Sequence, residues 1–148
     1  MSTPRGVATA DLELSDDWYE DDPSVAFRDN FPLTHGVPGA TDIASTAQTV
    51  VYAEIDPGKA LGTHIDSTEE LVVVLDGDGE LTVAGESEPL SRGGLALVPP
   101  MAPHGIRNVR REVTRFVAVF PTTDVTTTFD RPLQPYGQQV FATGNPAA

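Results

Sequence analysis

His64 and Asp66 stand two residues apart, and Glu70 follows at the start of an apolar run, in the segment GKALGTHIDSTEELVVVLDG (58–77). Imidazole nitrogens and carboxylate oxygens hold divalent cations where sulfur is absent, and the same groups move protons. A second imidazole, His104, lies in GGLALVPPMAPHGIRNV. The chain has only three histidines, so two of them fall in these two segments. The third, His35 in THGVPG, is expected at the surface or at the edge of a substrate site.

Spacing decides whether these groups can meet. Side chains alternate along a strand, so His64 and Asp66 share one face. Glu70 opens the next run after the short turn STE and can fold back beside them. Glu70, Val72 and Val74 share a face, and Leu71, Val73 and Leu75 share the other. Both faces are apolar beyond the glutamate, so the Glu70 carboxylate is expected to be buried, while Glu69 points to the rim. A buried carboxylate needs a counter-charge or several donors, because leaving it bare costs several kcal/mol. His104 follows a proline-rich turn and shares a face with Ile106 and Asn108. Two imidazoles and one or two carboxylates converging inside a barrel are a donor set for a divalent metal.

The elements that must position these groups are short strands. TVVYAEID (49–56) stops at the turn pair Pro57-Gly58. Further strands are expected over 60–65, 70–76, 80–85, 88–91, 95–99, 104–109 and 114–120, separated by the glycine-bearing turns DGDG, AGES and SRGG. No sustained helical period occurs between residues 49 and 120. The pattern predicts an all-β antiparallel sandwich or barrel. The tail VTTTFDRPLQPYGQQVFATGNPAA is expected to add a strand or wrap an edge before fraying. Residues 1–30 form a separate acidic arm, with Trp18, Tyr19 and Phe27 interspersed and Pro23 breaking any helix. The arm is either a solvated tail or a segment that its aromatics pin across the domain or a neighbouring subunit. Residues 31–148 then make the barrel domain with its C-terminal extension.

Composition narrows the partners. A chain of 148 residues is long enough for one core and short for two. Nine basic against 22 acidic residues give a formal charge of -13, which argues against nucleic acid or an anionic membrane surface. Eight arginines and the single Lys59 make an acidic, lysine-poor chain of the kind tolerated in a high-salt cytoplasm, where screening relieves self-repulsion. There is no cysteine, which excludes disulfides and thiolate chemistry. No apolar stretch approaches the ~18 residues needed to span a bilayer, and the expectation is a soluble cytoplasmic protein.

The two segments resemble the paired motifs of the cupin family. The first motif runs G-x5-H-x-H-x3-E-x6-G, matched by Gly58, His64, Glu70 and Gly77, with Asp66 where a second histidine is usual. The second runs G-x5-P-x-G-x2-H-x3-N, matched by Gly93, Pro99, His104 and Asn108, with Met101 in place of glycine. The resemblance implies a double-stranded β-helix, or jelly-roll, barrel. It also implies that His64, Glu70 and His104 are three of four ligands to Fe, Mn, Ni, Zn or Co, with Asp66 in the fourth ligand's place. Asp66 either binds and makes the site unusually neutral, or falls short and leaves a coordination position open.

At Met101 the backbone is expected to be ordinary or strained, with the thioether lining the pocket. Tyr52 and Thr63 are candidate pocket residues. Arg107, Arg110, Arg111 and Arg115 are expected to pair with surface acid or to receive an anionic group. The functional expectation is a metal-dependent enzyme on a small organic molecule, dioxygenase-like first and isomerase or lyase second. The alternative is a non-catalytic binding or sensing cupin. A homodimer is expected in either case.

Overall fold

The computed structural model describes residues 6–37 and 41–144. The outermost residues of the N-terminal arm and the last four of the tail, where fraying is expected, lie outside the described residues. The strands are β1 (Ser15–Tyr19), β2 (Asp22–Asn30), β3 (Thr49–Ile55), β4 (Ala60–Asp66), β5 (Glu70–Asp76) and β6 (Asp78–Val83). They continue as β7 (Glu86–Ser91), β8 (Leu95–Val98), β9 (His104–Arg107), β10 (Thr114–Phe120), β11 (Thr126–Gln134) and β12 (Gln138–Ala142). A single 3-10 turn, Thr9–Asp11, precedes them, and no α-helix occurs among the described residues.

All twelve strands belong to one sheet of order β7-β6-β9-β4-β11-β1-β2-β3-β10-β5-β8, with β12 added on β11. Every ladder is antiparallel except a parallel contact between β2 and β4 at Val25 and Ala60, through which the sheet closes on itself. The result is a jelly-roll barrel. Alternation fills its interior: on β5 Val72 and Val74 are buried while Leu71 and Leu75 emerge, and on β10 Phe116, Ala118 and Phe120 face in. Each large apolar side chain buried this way contributes roughly 1.5–3 kcal/mol.

The N-terminal segment is part of this wall. Tyr19 of β1 and Val25 and Phe27 of β2 belong to the hydrophobic core, and β2 pairs with β3 at Arg28–Glu54, Asp29–Ala53 and Asn30–Tyr52. Of the two accounts of the arm, its aromatics therefore hold it across the domain, although Trp18 itself is turned outward.

The turns have identifiable causes. Gly77 adopts φ +75°, and a Cβ there would meet the Val113 carbonyl oxygen at 2.6 Å, so the β5–β6 turn accepts glycine only. Met101 sits at φ +63°, which is strained for a side-chain-bearing residue. Its N–H donates to the Asp66 carbonyl oxygen at 2.8 Å, fastening the turn before β9 onto the end of β4. The side chain is 58% exposed and lies off the cavity wall, so the thioether is no part of the pocket.

Candidate metal centre

Three strands bring the four donors together. β4 and β9 are paired with His64 opposite His104, and the alternation of β4 turns His64 and Asp66 inward on the same face. Glu70 begins β5 and is buried with Val72 and Val74 behind it. One ligating atom from each of His64, Asp66, Glu70 and His104 lies within 4.8 Å of all the others, and all four residues are buried.

Backbone carbonyls fix both rings. His64 Nδ1 lies 2.8 Å from the Gly62 oxygen, and His104 Nδ1 lies 2.9 Å from the Ala102 oxygen. Each Nδ1–H donates to its carbonyl, which leaves Nε2 aimed at the centre. There His104 Nε2 stands 2.8 Å from Glu70 Oε1 and 3.2 Å from Asp66 Oδ2, and His64 Nε2 stands 3.7 Å from the same Asp66 oxygen. Two ligands bound about 2.1 Å from one ion sit roughly 3–3.5 Å apart. These three separations fall within a few tenths of an ångström of that range.

Asp66 is held as a ligand would be. Thr127 of β11 donates its hydroxyl to Oδ1, while the buried Oδ2 points into the cluster, 3.2 Å from His104 Nε2 and 3.7 Å from His64 Nε2. A buried carboxylate needs a counter-charge, which an imidazolium or a metal ion supplies. The donor set therefore fits a divalent metal, and the Asp66 carboxylate extends into the cluster.

Charge in the cluster is coupled. Burial lowers the His104 pKa, but the hydrogen bonds to Asp66 and Glu70 outweigh it and raise the pKa to about 10. His64 is pushed down by burial and by the charge of His104. Burial alone would raise Asp66, yet His104, His64 and Thr127 together hold it below the usual carboxylate range. An imidazolium at His104 thus supplies the positive charge that a cation would otherwise bring.

The cluster opens on a cavity of about 510 Å³ whose wall includes His64, Asp66 and Glu70. Phe129 of β11 stacks on His64 with ring centroids 5.0 Å apart, and Phe27 lies 6.2 Å beyond Phe129. Tyr52 and Thr63 are not on this wall. Tyr52 is buried on the opposite face of β3, its hydroxyl 2.6 Å from Glu54 Oε2, and Thr63 points outward from β4. His35 is exposed, as are Arg107, Arg110, Arg111 and Arg115. Asn108 spends its amide on the Ile55 and Glu112 carbonyls and so holds the turn after β9.

Thr127 and Phe129 had no place among the sequence candidates. The run VTTTF is rich in β-branched residues and reads as a strand, but nothing local shows that its partner is β4, some sixty residues earlier.

A jelly-roll barrel with two histidines and two carboxylates gathered in its wall defines a class, and the family comparison agrees. The model described as Cupin domain matches residues 51–120, the stretch that carries all four donors. Residues 51–120 of the chain are thus a cupin domain. No curated protein matches the sequence. Among solved structures, an oxalate decarboxylase from Lactobacillus farciminis in complex with formate is 17% identical with TM-score 0.65, covering 82% of this chain and 34% of that one. A predicted oxalate decarboxylase from Thermotoga maritima is 16% identical with TM-score 0.61, covering 80% of this chain and 99% of that one. A mutant oxalate decarboxylase from Bacillus subtilis is 18% identical with TM-score 0.55, over 58% of this chain and 24% of that one. The chain thus spans about a third of the Lactobacillus enzyme and about a quarter of the Bacillus one, and the likeness is one of fold.

Proposed function

We propose that the protein is a metal-dependent cupin enzyme acting on a small organic molecule, with His64, Asp66, Glu70 and His104 holding a divalent transition metal, one of Fe, Mn, Ni, Zn or Co. The observation that carries the reading is the convergence of four donor atoms within 4.8 Å beside a 510 Å³ cavity. Packing alone gives no reason for it, since hydrophobic residues of similar volume would often be as stable or more so.

Bound there, a redox-active metal supplies one-electron chemistry, and two carboxylate ligands favour its oxidised state while weakening it as a Lewis acid. Oxygen-dependent chemistry therefore leads over isomerase or lyase chemistry. The chain's own residues do the positioning. Gly62 and Ala102 carbonyls orient the rings, Thr127 steadies Asp66, and Phe129 and Phe27 keep water from one side of the cavity while packing against an apolar substrate. The activity of the structural relatives does not transfer readily. An oxalate dianion would meet no lysine or arginine on the cavity wall among the described residues, and would meet Glu13, Asp17 and Asp29.

One observation favours a non-catalytic binding role instead: the wall beside His64 is phenyl rings, which hold a ligand but move no proton. Metal analysis coupled to oxygen uptake over aromatic and keto substrates separates the two. Substrate-dependent uptake by metal-loaded protein supports the enzyme, and metal without turnover on any of them supports binding. The reading includes a homodimer, supported by an apolar outer row in which Leu71 pairs with Leu97 and both are exposed, with Leu95 beside them. A monomer in sedimentation at high salt contradicts that part.

A further inference from the structure

The cavity has a second polar group that the metal centre does not use. Asp17 of β1 lies opposite Phe27 of β2, and Asp29 is two residues beyond Phe27 on the same inward face. Asp17 is 3% exposed, and its Oδ1 has no hydrogen-bond partner. Asp29 and Tyr136 hydrogen-bond with the Asp17 carboxyl, so its immediate neighbours are another carboxyl and a phenol. Burial, then the neighbouring carboxyl, pushes Asp29 well above the ordinary carboxylate range, and burial likewise raises Asp17.

Among the described residues no cation answers this pair. Arg28, between Phe27 and Asp29 in sequence, faces the other side of β2 and is committed to Glu54 at 3.0 Å and Asp56 at 2.8 Å. Arg131 pairs with Asp21 at the surface. Two carboxyls side by side, Asp17 buried and Asp29 half-buried, without a counter-charge are a standing cost to the fold. They lie two aromatic rings away from the metal cluster, along the series His64, Phe129, Phe27.

Resting on the metal-centre reading and extending it to the substrate, we propose that the cavity takes an aromatic or otherwise apolar amine, its protonated nitrogen on Asp17 and Asp29 and its body along Phe27 and Phe129 toward the metal. The ammonium supplies the missing counter-charge and donates to the unpartnered Asp17 oxygen. The rings supply apolar contact and a favourable face for the cation. Desolvated charge pairing of this kind discriminates sharply against an anion of the same shape, because the anion adds a third negative group to the pocket.

The test uses three probes of matched size, namely phenethylamine, 2-phenylethanol and phenylacetate. Each is titrated calorimetrically into the purified protein, whose metal content is determined beforehand. The expected order is amine tighter than alcohol by at least tenfold, with phenylacetate weakest. In the double variant Asp17→Asn, Asp29→Asn the amine advantage falls to within about twofold of the alcohol, while metal content is unchanged. Phenylacetate binding as tightly as the amine, no binding of the amine, or an amine advantage that survives in a folded double variant each overturns the proposal. The wild-type ranking stands as a test even where the variant does not fold. An amine preference in protein that holds no metal would sink the metal reading alone, and metal without that preference would sink this one alone.

Discussion

Two buried acidic groups face the same cavity, and they are built differently. In the first, Asp66 and Glu70 are matched by His64 and His104, both rings are fixed by backbone carbonyls, and Thr127 holds the remaining Asp66 oxygen. In the second, Asp17 and Asp29 are matched by nothing positive among the described residues, and Asp17 Oδ1 has no hydrogen-bond partner. A proton or a metal completes the first from within, whereas the second holds extra protons or, on the proposal above, takes a cation from outside. On the proposed reading, the contrast separates a resident cofactor's site from a ligand's.

The largest effect is expected from breaking the compensation in the first group. His104→Ala removes a donor and leaves Asp66 and Glu70 buried against each other, so the metal-free protein should lose about 3–5 kcal/mol of stability. Chemical denaturation reads this directly. A loss under 1 kcal/mol would mean that the cluster is less charged than its geometry implies. Next comes Thr127→Val, which keeps the shape of the side chain but removes the hydrogen bond to Asp66. Metal affinity should fall about 10–100-fold with little change in fold, as measured by competition with a chelator.

The second group should respond with the opposite sign. Asp17 and Asp29 have folded-state pKa values above the unfolded one, so the folded chain binds more protons as pH passes upward from about 4. Their contribution to stability is full below that pH and is lost as pH rises through the folded values. Asp17→Asn supplies an N–H to Asp29 and removes the loss. It should raise Tm at pH 7 by about 2–4 °C, the shift that ~1 kcal/mol produces in a domain near this size, with the gain fading toward pH 4. A gain independent of pH would contradict the account. The smallest effect belongs to a control outside both groups: Met101→Gly relieves a positive φ and should stabilise by about 1 kcal/mol or less, without altering metal content.

The first group was legible in the sequence because its spacing is local. His64 and Asp66 differ by two, Glu70 follows one short turn later, and strands β3 to β10 come as short runs between glycine turns. The second was not, because Asp17 and Asp29 sit in an acidic stretch whose charge reads as solvated. The available signal was parity: Asp17 with Tyr19, and Asp29 with Phe27 and Val25, are two-residue alternations with core side chains. Parity also explains the misplacement of Tyr52 and Thr63. Val51 and Ala53 line the cavity while Tyr52 between them does not, and Thr63 turns away beside His64. Register between distant strands, which brings Thr127 to Asp66, leaves no trace in a single sequence.

The central claim is that the four-donor cluster holds a metal, and elemental analysis of protein purified without added ions tests it most directly. The account predicts close to one transition-metal ion per chain, retained through dialysis and lost in both Asp66→Ala and His104→Ala. Protein that carries no transition metal, and takes up none of Fe, Mn, Ni, Zn or Co when offered them, would contradict it.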